Sequence, residues 1–231
     1  MNTNRGFSII ELCVVVAVIA ILLSIILPSL RTIRFASDVT ECMARFRIRG
    51  VVAGSYAVDN KQQLPSMTIP YNTGKNPWDV NNGFIPALEP YGLDLPKLWY
   101  CPIQNPEHPG TMAEMKPTLF YAGGAFTLLP TSYWVPRQDQ TAWFPTVGGN
   151  PGHEDGWPRS LTDRRVPKQP IWTDRVYTDT AQGANAWKST NGHQREGVLD
   201  SANLLYADGH VETRIPDEMQ MRWFGNRYHF Y

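Results

Sequence analysis

Residues 12–27 form a single apolar run, LCVVVAVIAILLSIIL, in which Ser24 is the only polar residue. Extended back to Phe7, the run covers 21 residues and also contains Ser8 and Glu11. A helix of that length measures about 31 Å, which is enough to cross the hydrocarbon core of a bilayer. The length and the absence of any periodicity predict a membrane-spanning helix rather than the core helix of a soluble domain.

Two other observations bear on this segment. The run is followed by Pro28-Ser29-Leu30-Arg31 without an A-x-A pattern, so a cleaved secretory signal peptide fits less well. Arg5 precedes the run and no acidic residue does, which predicts a cytoplasmic N-terminus. Five arginines after the run favour the opposite orientation on a simple count: Arg31, Arg34, Arg45, Arg47 and Arg49.

Glu11 needs an explanation, because an acid at the centre of a membrane span costs roughly 2.5–3.5 kcal/mol. Near the end of the helix its carboxylate could reach the membrane interface. Alternatively, it pairs with a cation at the same depth. The free α-amino group of a chain that has been cleaved just before Phe7 would supply that cation.

Residues 5–11, RGFSIIE, resemble the processing site of type IV pilins and type II secretion pseudopilins. The likeness lies in a short charged leader that ends in glycine, followed by Phe and by Glu as the fifth mature residue. It implies that a prepilin peptidase cleaves after Gly6 and that the new Phe7 amine is methylated. It further implies that Glu11 pairs with the Phe7 amine of a neighbouring subunit during assembly. Pro28 stands where pilins often have a helix-kinking proline.

The sequence predicts one long helix from about residue 7 to about residue 59, kinked at Pro28; two separate helices are the alternative. Accordingly, we divide the chain into a leader (1–6), a membrane half (7–30), an amphipathic half (31–60) and a soluble domain (61–231). On the amphipathic half, apolar residues recur every three or four positions and arginines supply much of the polar surface. The apolar positions are Phe35, Val39, Met43, Phe46, Gly50, Ala53 and Ala57, and the polar ones include Arg31, Arg34, Arg45 and Arg49.

The soluble domain is rich in proline, glycine and tryptophan: 18 of the 19 prolines follow residue 64 and all eight tryptophans follow residue 77. We therefore expect an α+β fold in which the long N-terminal helix packs on a small antiparallel sheet with long loops. The tryptophans either fill gaps in a loop-rich core, which we favour, or present a contact platform for glycans or proteins.

Residues 202–215 predict a β-hairpin, because Asp208-Gly209 separates two alternating runs. A two-residue loop puts Tyr206 opposite Val211. The face expected to lie on the long helix carries Ala202, Leu204, Tyr206, Val211, Thr213 and Ile215, and the face expected to be wet carries Asn203, Leu205, Ala207, His210, Glu212 and Arg214.

A second resemblance rests on Cys101-Pro102, residues 131–133 and residues 203–211, which are similar to a pilin-like group named for an H-X9-DG signature. The sequence departs from that signature, because Val198 occupies the histidine position and the nearest upstream histidine is His193.

Few residues point to other chemistry. Asp174 and Asp179 are candidates for a calcium site, which requires six to eight oxygen ligands; otherwise we expect no metal and no cofactor. His153-Glu154-Asp155 lies in a glycine-rich stretch typical of a turn. Because Cys13 lies in the membrane run, only Cys42 and Cys101 could form a disulfide within the chain, and the sequence does not give their separation.

No catalytic motif is present, so we expect a protein that is not an enzyme, and a net charge of zero gives no reason to expect nucleic acid as a partner. One hypothesis is a structural pilin-like subunit of a type IV pilus or a type II secretion pseudopilus. Its partners would be a prepilin peptidase, other subunits and the bacterial inner membrane, with the C-terminal domain periplasmic or extracellular. The alternative is a solitary membrane-anchored exported protein that binds glycans or proteins.

Overall fold

The structure is a computed structural model that describes residues 8–66, 77–81, 83–93, 96–103, 126–129, 131–135, 157–179, 192–219, 221–224 and 227–230. The chain forms two compact units, Met1–Asp38 and Val39–Tyr231. From Ile9 onward the first unit is helical, whereas the second combines the rest of that helix with small antiparallel sheets. The α+β architecture predicted from the sequence is therefore confirmed.

The first helix, α1, spans Ile9–Asp59 and contains Pro28. Its 51 residues form one element, so the two-helix alternative is wrong. In the first unit every residue from 8 to 34 is exposed in the single chain. This part of α1 is long and apolar enough to cross a membrane, by length and composition.

In the second unit, one face of α1 enters the core. Phe46 and Ala53 lie on this buried face, as the apolar spacing predicts. The prediction that Arg49 contributes to the polar surface is wrong, because its side chain is completely buried. The helical repeat explains the difference: Arg49 follows Phe46 by three residues and precedes Ala53 by four, which places all three on one stripe. The buried residues of α1 are Cys42, Phe46, Arg49, Val52, Ala53 and Ala57.

The main sheet has five strands and is organised around β7, which pairs antiparallel with β4, β6 and β8, while β3 pairs with β4. Two smaller sheets contain β1 with β2, and β5, β10 and β9 in that order. A short helix, α2, spans Phe84–Leu88. The strands are β1 Asp79–Asn81, β2 Phe126–Leu128, β3 Ser132–Tyr133, β4 Pro170–Thr173, β5 Tyr177–Asp179, β6 His193–Arg195, β7 Val198–Tyr206, β8 Val211–Arg214, β9 Met221–Phe224 and β10 Arg227–Phe230.

The β7–β8 hairpin has a register that differs by one residue from the prediction. Val211 lies opposite Leu205 rather than opposite Tyr206. The Tyr206 N–H donates to the carbonyl of His210 at 3.0 Å, so the loop contains three residues rather than two. Gly209, the third of them, has a φ of 91°. Three-residue hairpin loops commonly place a glycine in this left-handed conformation, and the Asp-Gly pair fits them as well as a two-residue turn.

The predicted sorting of the two hairpin faces is also wrong. Asn203 and Leu205, expected to be wet, are fully buried, whereas Ile215, expected to lie on the helix, is 50% exposed. Leu205 is the residue that packs on α1: a Cβ added at Gly50 would lie 2.9 Å from its Cδ1. Because β7 is paired with three other strands and covered on both faces, it lacks the alternation of a strand with one wet face.

The core is rich in aromatic rings. Ring centroids of Phe84, Tyr133 and Trp172 lie 4.7–6.1 Å apart in tilted or edge-on arrangements. All tryptophans whose side chains the structure describes are at most 3% exposed, so they fill the interior rather than form a surface platform; these are Trp78, Trp99, Trp134, Trp157 and Trp172.

The contact between α1 and β7 can be tested with two glycine-to-alanine substitutions. An alanine gains about 1 kcal/mol over glycine inside a helix. Gly54→Ala should show that gain, because nothing lies within 4 Å of the added methyl group. Gly50→Ala should be less stable than Gly54→Ala by about 1 kcal/mol or more, since buried Leu205 must move. Denaturant unfolding of the full chain in detergent measures both, and equal gains would contradict the close packing.

Candidate functional site

A capping box stabilises the N-terminus of α1. The Ser8 Oγ accepts a hydrogen bond from the Ile10 N–H at 3.3 Å, and Glu11 Oε2 accepts one from the Ser8 N–H at 2.9 Å. This reciprocal pair satisfies two of the backbone donors that a helix N-terminus leaves open. Glu11 therefore has a partner in its own chain, while its Oε1 has no hydrogen bond with any described residue. Gly6 and Phe7 lie outside the described residues.

A second group of functional side chains lies in the core of the second unit. Two thiols, a carboxylate and an imidazole each direct one ligand atom into a common region, where these atoms lie within 4.8 Å of one another. None of the four residues is more than 3% exposed. We call this group the buried cluster; its members are Cys42, Cys101, Asp174 and His193.

Different elements supply the two thiols and the carboxylate. Cys42 lies on the buried face of α1, one helical turn before Phe46. Cys101 follows a 3₁₀ helix at Pro96–Trp99. Asp174 follows β4 and is fixed to β7, because its N–H donates to the Asn203 carbonyl at 2.9 Å and its Oδ2 accepts from the Asn203 N–H at 2.8 Å. The packing of α1 on the sheet therefore brings these three side chains together.

His193 opens β6 and follows a glycine with special geometry. Gly192 has a φ of 71°, which favours glycine, and a Cβ there would lie 2.4 Å from Leu199 Cδ1, so a larger residue would be strained and would have to move the Leu199 side chain. The Nδ1 of His193 lies 3.2 Å from the Ser201 Oγ. Its Nε2 lies 3.0 Å from Asp174 Oδ2, an ion-pair distance, but makes no hydrogen bond of regular geometry with the described residues.

Arg49 provides a buried positive charge beside the cluster. Its Nε donates to the Leu98 carbonyl at 2.7 Å, and its guanidinium carbon lies 4.7 Å from the ring centroid of Phe46 and 5.2 Å from that of Trp172. Burial lowers the pKa of Arg49 to about 10, although the acidic groups of the buried cluster favour its charged form. Arg49 is therefore charged at neutral pH.

The electrostatics of the buried cluster separate its two thiols. Burial raises the pKa of the Cys42 thiol well above its ordinary value. Burial acts in the same direction on Cys101, but the neighbouring Cys42 and His193 side chains lower its pKa to about 6. Burial opposes protonation of His193, yet the charge of Asp174 raises its pKa to about 10.

The donor atoms of the cluster determine which ions it could hold. Thiolate and imidazole ligands suit zinc and related transition metals, whereas calcium takes oxygen ligands. The calcium prediction for Asp174 and Asp179 stays a prediction, because the side chain of Asp179 is not among those described. The neighbours of Asp174 in the structure are sulfur and nitrogen atoms, which do not favour calcium.

A family model described as a prokaryotic N-terminal methylation motif matches residues 1–27. The chain carries a prepilin-type N-terminus. This match supports a type IV pilin-like protein that is a substrate of a prepilin peptidase. A search of curated proteins and a search of solved structures found no match.

The other residues singled out in the sequence lie as follows. Asp208 is in the hairpin turn, where its Oδ1 accepts a hydrogen bond from the His210 N–H at 3.2 Å and lies 2.6 Å from His210 Nδ1. Val198, at the histidine position of the H-X9-DG signature, is 61% exposed on β7. His153-Glu154-Asp155 lies outside the described residues.

The buried cluster as a unit was not predicted from the sequence. Asp174 was a candidate for a different ion, and His193 had no predicted role. Cys42 and Asp174 are separated by 132 positions, so no short spacing motif connects them. One signal was available: Cys42 precedes Phe46 by one helical turn and therefore belongs to the stripe that faces the core.

The buried guanidinium of Arg49 predicts a large difference between two neighbouring arginines. Arg49→Lys keeps the charge but loses the planar donor fork and the ring contacts, so we expect a loss of about 2–4 kcal/mol in unfolding free energy. Arg47 is exposed on the same helix, and Arg47→Lys should change stability by less than about 0.5 kcal/mol. Thermal or urea unfolding of the full chain measures both, and a neutral Arg49→Lys would contradict the burial of this side chain.

Proposed function

We propose that this protein is a structural pilin-like subunit that is cleaved after Gly6 and assembles through α1 into a type IV pilus or a type II secretion pseudopilus. The observation that carries the proposal is the N-terminal methylation motif at residues 1–27, which runs into a helix with exposed apolar residues on every side. Such a surface must be covered either by lipid or by other apolar helices. Insertion in the membrane covers it before assembly, and packing against neighbouring subunits covers it afterwards.

Glu11 supports this proposal through its second oxygen. The capping box uses only Oε2, so Oε1 remains able to accept a hydrogen bond from a positively charged amine. In an assembled filament that amine is the methylated N-terminus of Phe7 on a neighbouring subunit. Removing one partner of a buried ion pair costs about 3–5 kcal/mol, which is enough to enforce the register of incoming subunits.

The protein is placed by this proposal in the inner membrane of a bacterium as a single-pass chain. Its N-terminus faces the cytoplasm and its C-terminal domain faces the periplasm or the exterior. The partners are a prepilin peptidase, other pilin-like subunits and the membrane, with no nucleic acid. We propose no catalytic activity, because the buried cluster, where thiol, imidazole and carboxylate groups of the described residues meet, is closed to substrate.

We also propose membership of the pilin-like group with the H-X9-DG signature. The supporting feature is the hairpin of β7 and β8, whose turn contains Asp208 and Gly209. Val198 replaces the signature histidine, and no role is carried onto His193 by this resemblance.

A solitary membrane-anchored binding protein is the second candidate, and one observation favours it. The capping box gives Glu11 a function within its own chain, so a lone anchor also has a use for this acid. The buried tryptophans count against a glycan platform built from them. Assembly is therefore the property that separates the two candidates.

Processing is tested first by the N-terminus of the mature protein. Protein isolated from native membranes or surface filaments should begin at Phe7 with a methylated amine, as read by intact mass and N-terminal sequencing. Gly6→Val should reduce cleavage at least tenfold, because the peptidase must approach the backbone closely at this position. Native protein that still begins at Met1 would exclude prepilin processing, and the filament proposal with it.

Two substitutions at Glu11 separate assembly from helix capping. Glu11→Gln retains an oxygen for the Ser8 N–H but removes the charge, whereas Glu11→Leu removes both. If a charge pair guides assembly, both variants should be cleaved normally and both should lose at least nine tenths of the sheared filament fraction. Filaments from Glu11→Gln at the native level would assign Glu11 to capping alone. Normal assembly of both variants would remove Glu11 from the mechanism.

A further inference from the structure

The buried cluster has the composition of a metal site rather than of ordinary core packing. Two thiols, one carboxylate and one imidazole converge where an aromatic-rich interior would otherwise be apolar. Buried polar groups are costly unless each is paired. An ion that accepts all four ligand atoms would compensate that cost.

We propose that the soluble domain binds one divalent metal ion of the zinc class through four side chains: Cys42, Cys101, Asp174 and His193. Zinc is bound in proteins by these ligand types, nearly always as a tetrahedron in structural sites. All four positions come from the protein and all are buried, so no position is open to water. The site is therefore structural rather than catalytic.

The distances between the ligand atoms suit a tetrahedron. Zinc bonds of about 2.0–2.3 Å give edges of about 3.3–3.8 Å between ligands. Cys42 Sγ lies 3.8 Å from one carboxylate oxygen of Asp174, Oδ1, and His193 Nε2 lies 3.0 Å from the other, Oδ2, so Asp174 can direct an oxygen toward either neighbour. No pair of ligand atoms is more than 4.8 Å apart, so shifts of about 1 Å close the tetrahedron.

Neighbouring groups hold His193 and Asp174 in place, as hydrogen-bond partners commonly do for metal ligands. Metal-binding histidines usually engage their second ring nitrogen in a hydrogen bond, and Ser201 Oγ lies 3.2 Å from His193 Nδ1. The other nitrogen, Nε2, is buried in the cluster 3.0 Å from Asp174 Oδ2 and makes no regular hydrogen bond with the described residues. Asp174 is fixed by the Asn203 N–H. Nε2 is therefore the ring nitrogen available to a metal ion.

Charge balance gives an independent reason to expect a divalent ion in the buried cluster. Two thiolates, one carboxylate and one divalent ion carry a net charge of −1. Arg49 is fully buried and interacts electrostatically with Cys42, Asp174 and Cys101. Its positive charge makes the complex neutral overall. A neutral assembly is the one that a low-dielectric interior tolerates best.

A Cys42–Cys101 disulfide is the competing state, because both sulfurs are free and adjacent in the structure. A disulfide would consume both thiolates and prevent metal binding. The nitrogen of His193 would then have no metal ion to bind.

Cobalt binding tests the proposal directly. Reduced, metal-free full-length protein in detergent is titrated with Co²⁺, and zinc content is measured by elemental analysis after loading. We expect one equivalent of metal and a thiolate-to-cobalt charge-transfer band. Cys42→Ser and Cys101→Ser should each weaken that band and lose stoichiometric binding. The controls Cys13→Ser and His210→Asn remove an exposed thiol and an exposed imidazole and should bind like the native protein.

Ser201→Ala keeps the test decisive if the cysteine variants fail to fold. It leaves all four ligands in place but removes the contact to His193 Nδ1, so we expect metal affinity to fall about 10- to 100-fold. Chelation should lower the melting temperature of the native protein. Folded, reduced native protein that takes up no stoichiometric metal would overturn the proposal, as would a cobalt spectrum without thiolate character. Native protein that holds the disulfide and binds no cobalt after reduction would assign the two thiols to a redox pair instead.

Discussion

The contact between the second part of α1 and the central strand β7 is the interaction on which the second unit depends. Gly50 allows the helix to approach Leu205 closely, since even one added methyl group would meet that side chain. This approach fixes the rotation of the helix, and the helical repeat then directs Cys42, Phe46 and Arg49 into the core. The aromatic packing and the buried cluster both lie on the face that this contact selects.

The two parts of α1 therefore lie in different environments. Through residue 34 its side chains are exposed in the single chain, and through residue 30 most of them are apolar. From Val39 onward the helix belongs to the second compact unit, and there its polar side chains include one that is deeply buried. Arg49 is stabilised in that position by a backbone carbonyl, two aromatic rings and nearby acidic groups. Its burial shows that charge alone does not assign a residue to the surface when helix geometry places it on the core face.

The long helix and the antiparallel α+β character could be predicted from the sequence, because length, hydropathy and turn residues are local signals. The register of the β7–β8 hairpin could not be predicted, since Asp208-Gly209 fits two loop lengths equally well. The burial of Asn203 follows from strands on either side of β7, which no local pattern reports. The buried cluster could not be predicted either, because its members converge only after α1 packs on the sheet.

The position of the buried cluster connects its chemistry with the proposed role in a filament. A subunit held by its apolar helix receives any axial load through α1, and that load must pass into a domain built from short strands and long connections. The cluster joins α1, through Cys42, to the ends of β4 and β6, through Asp174 and His193. A metal ion there would cross-link segments that are distant in the chain. Because the four ligands converge only in the folded state, such an ion would stabilise that state and couple metal binding to folding. The cross-link would hold the helix to the sheet at the place where the two elements meet.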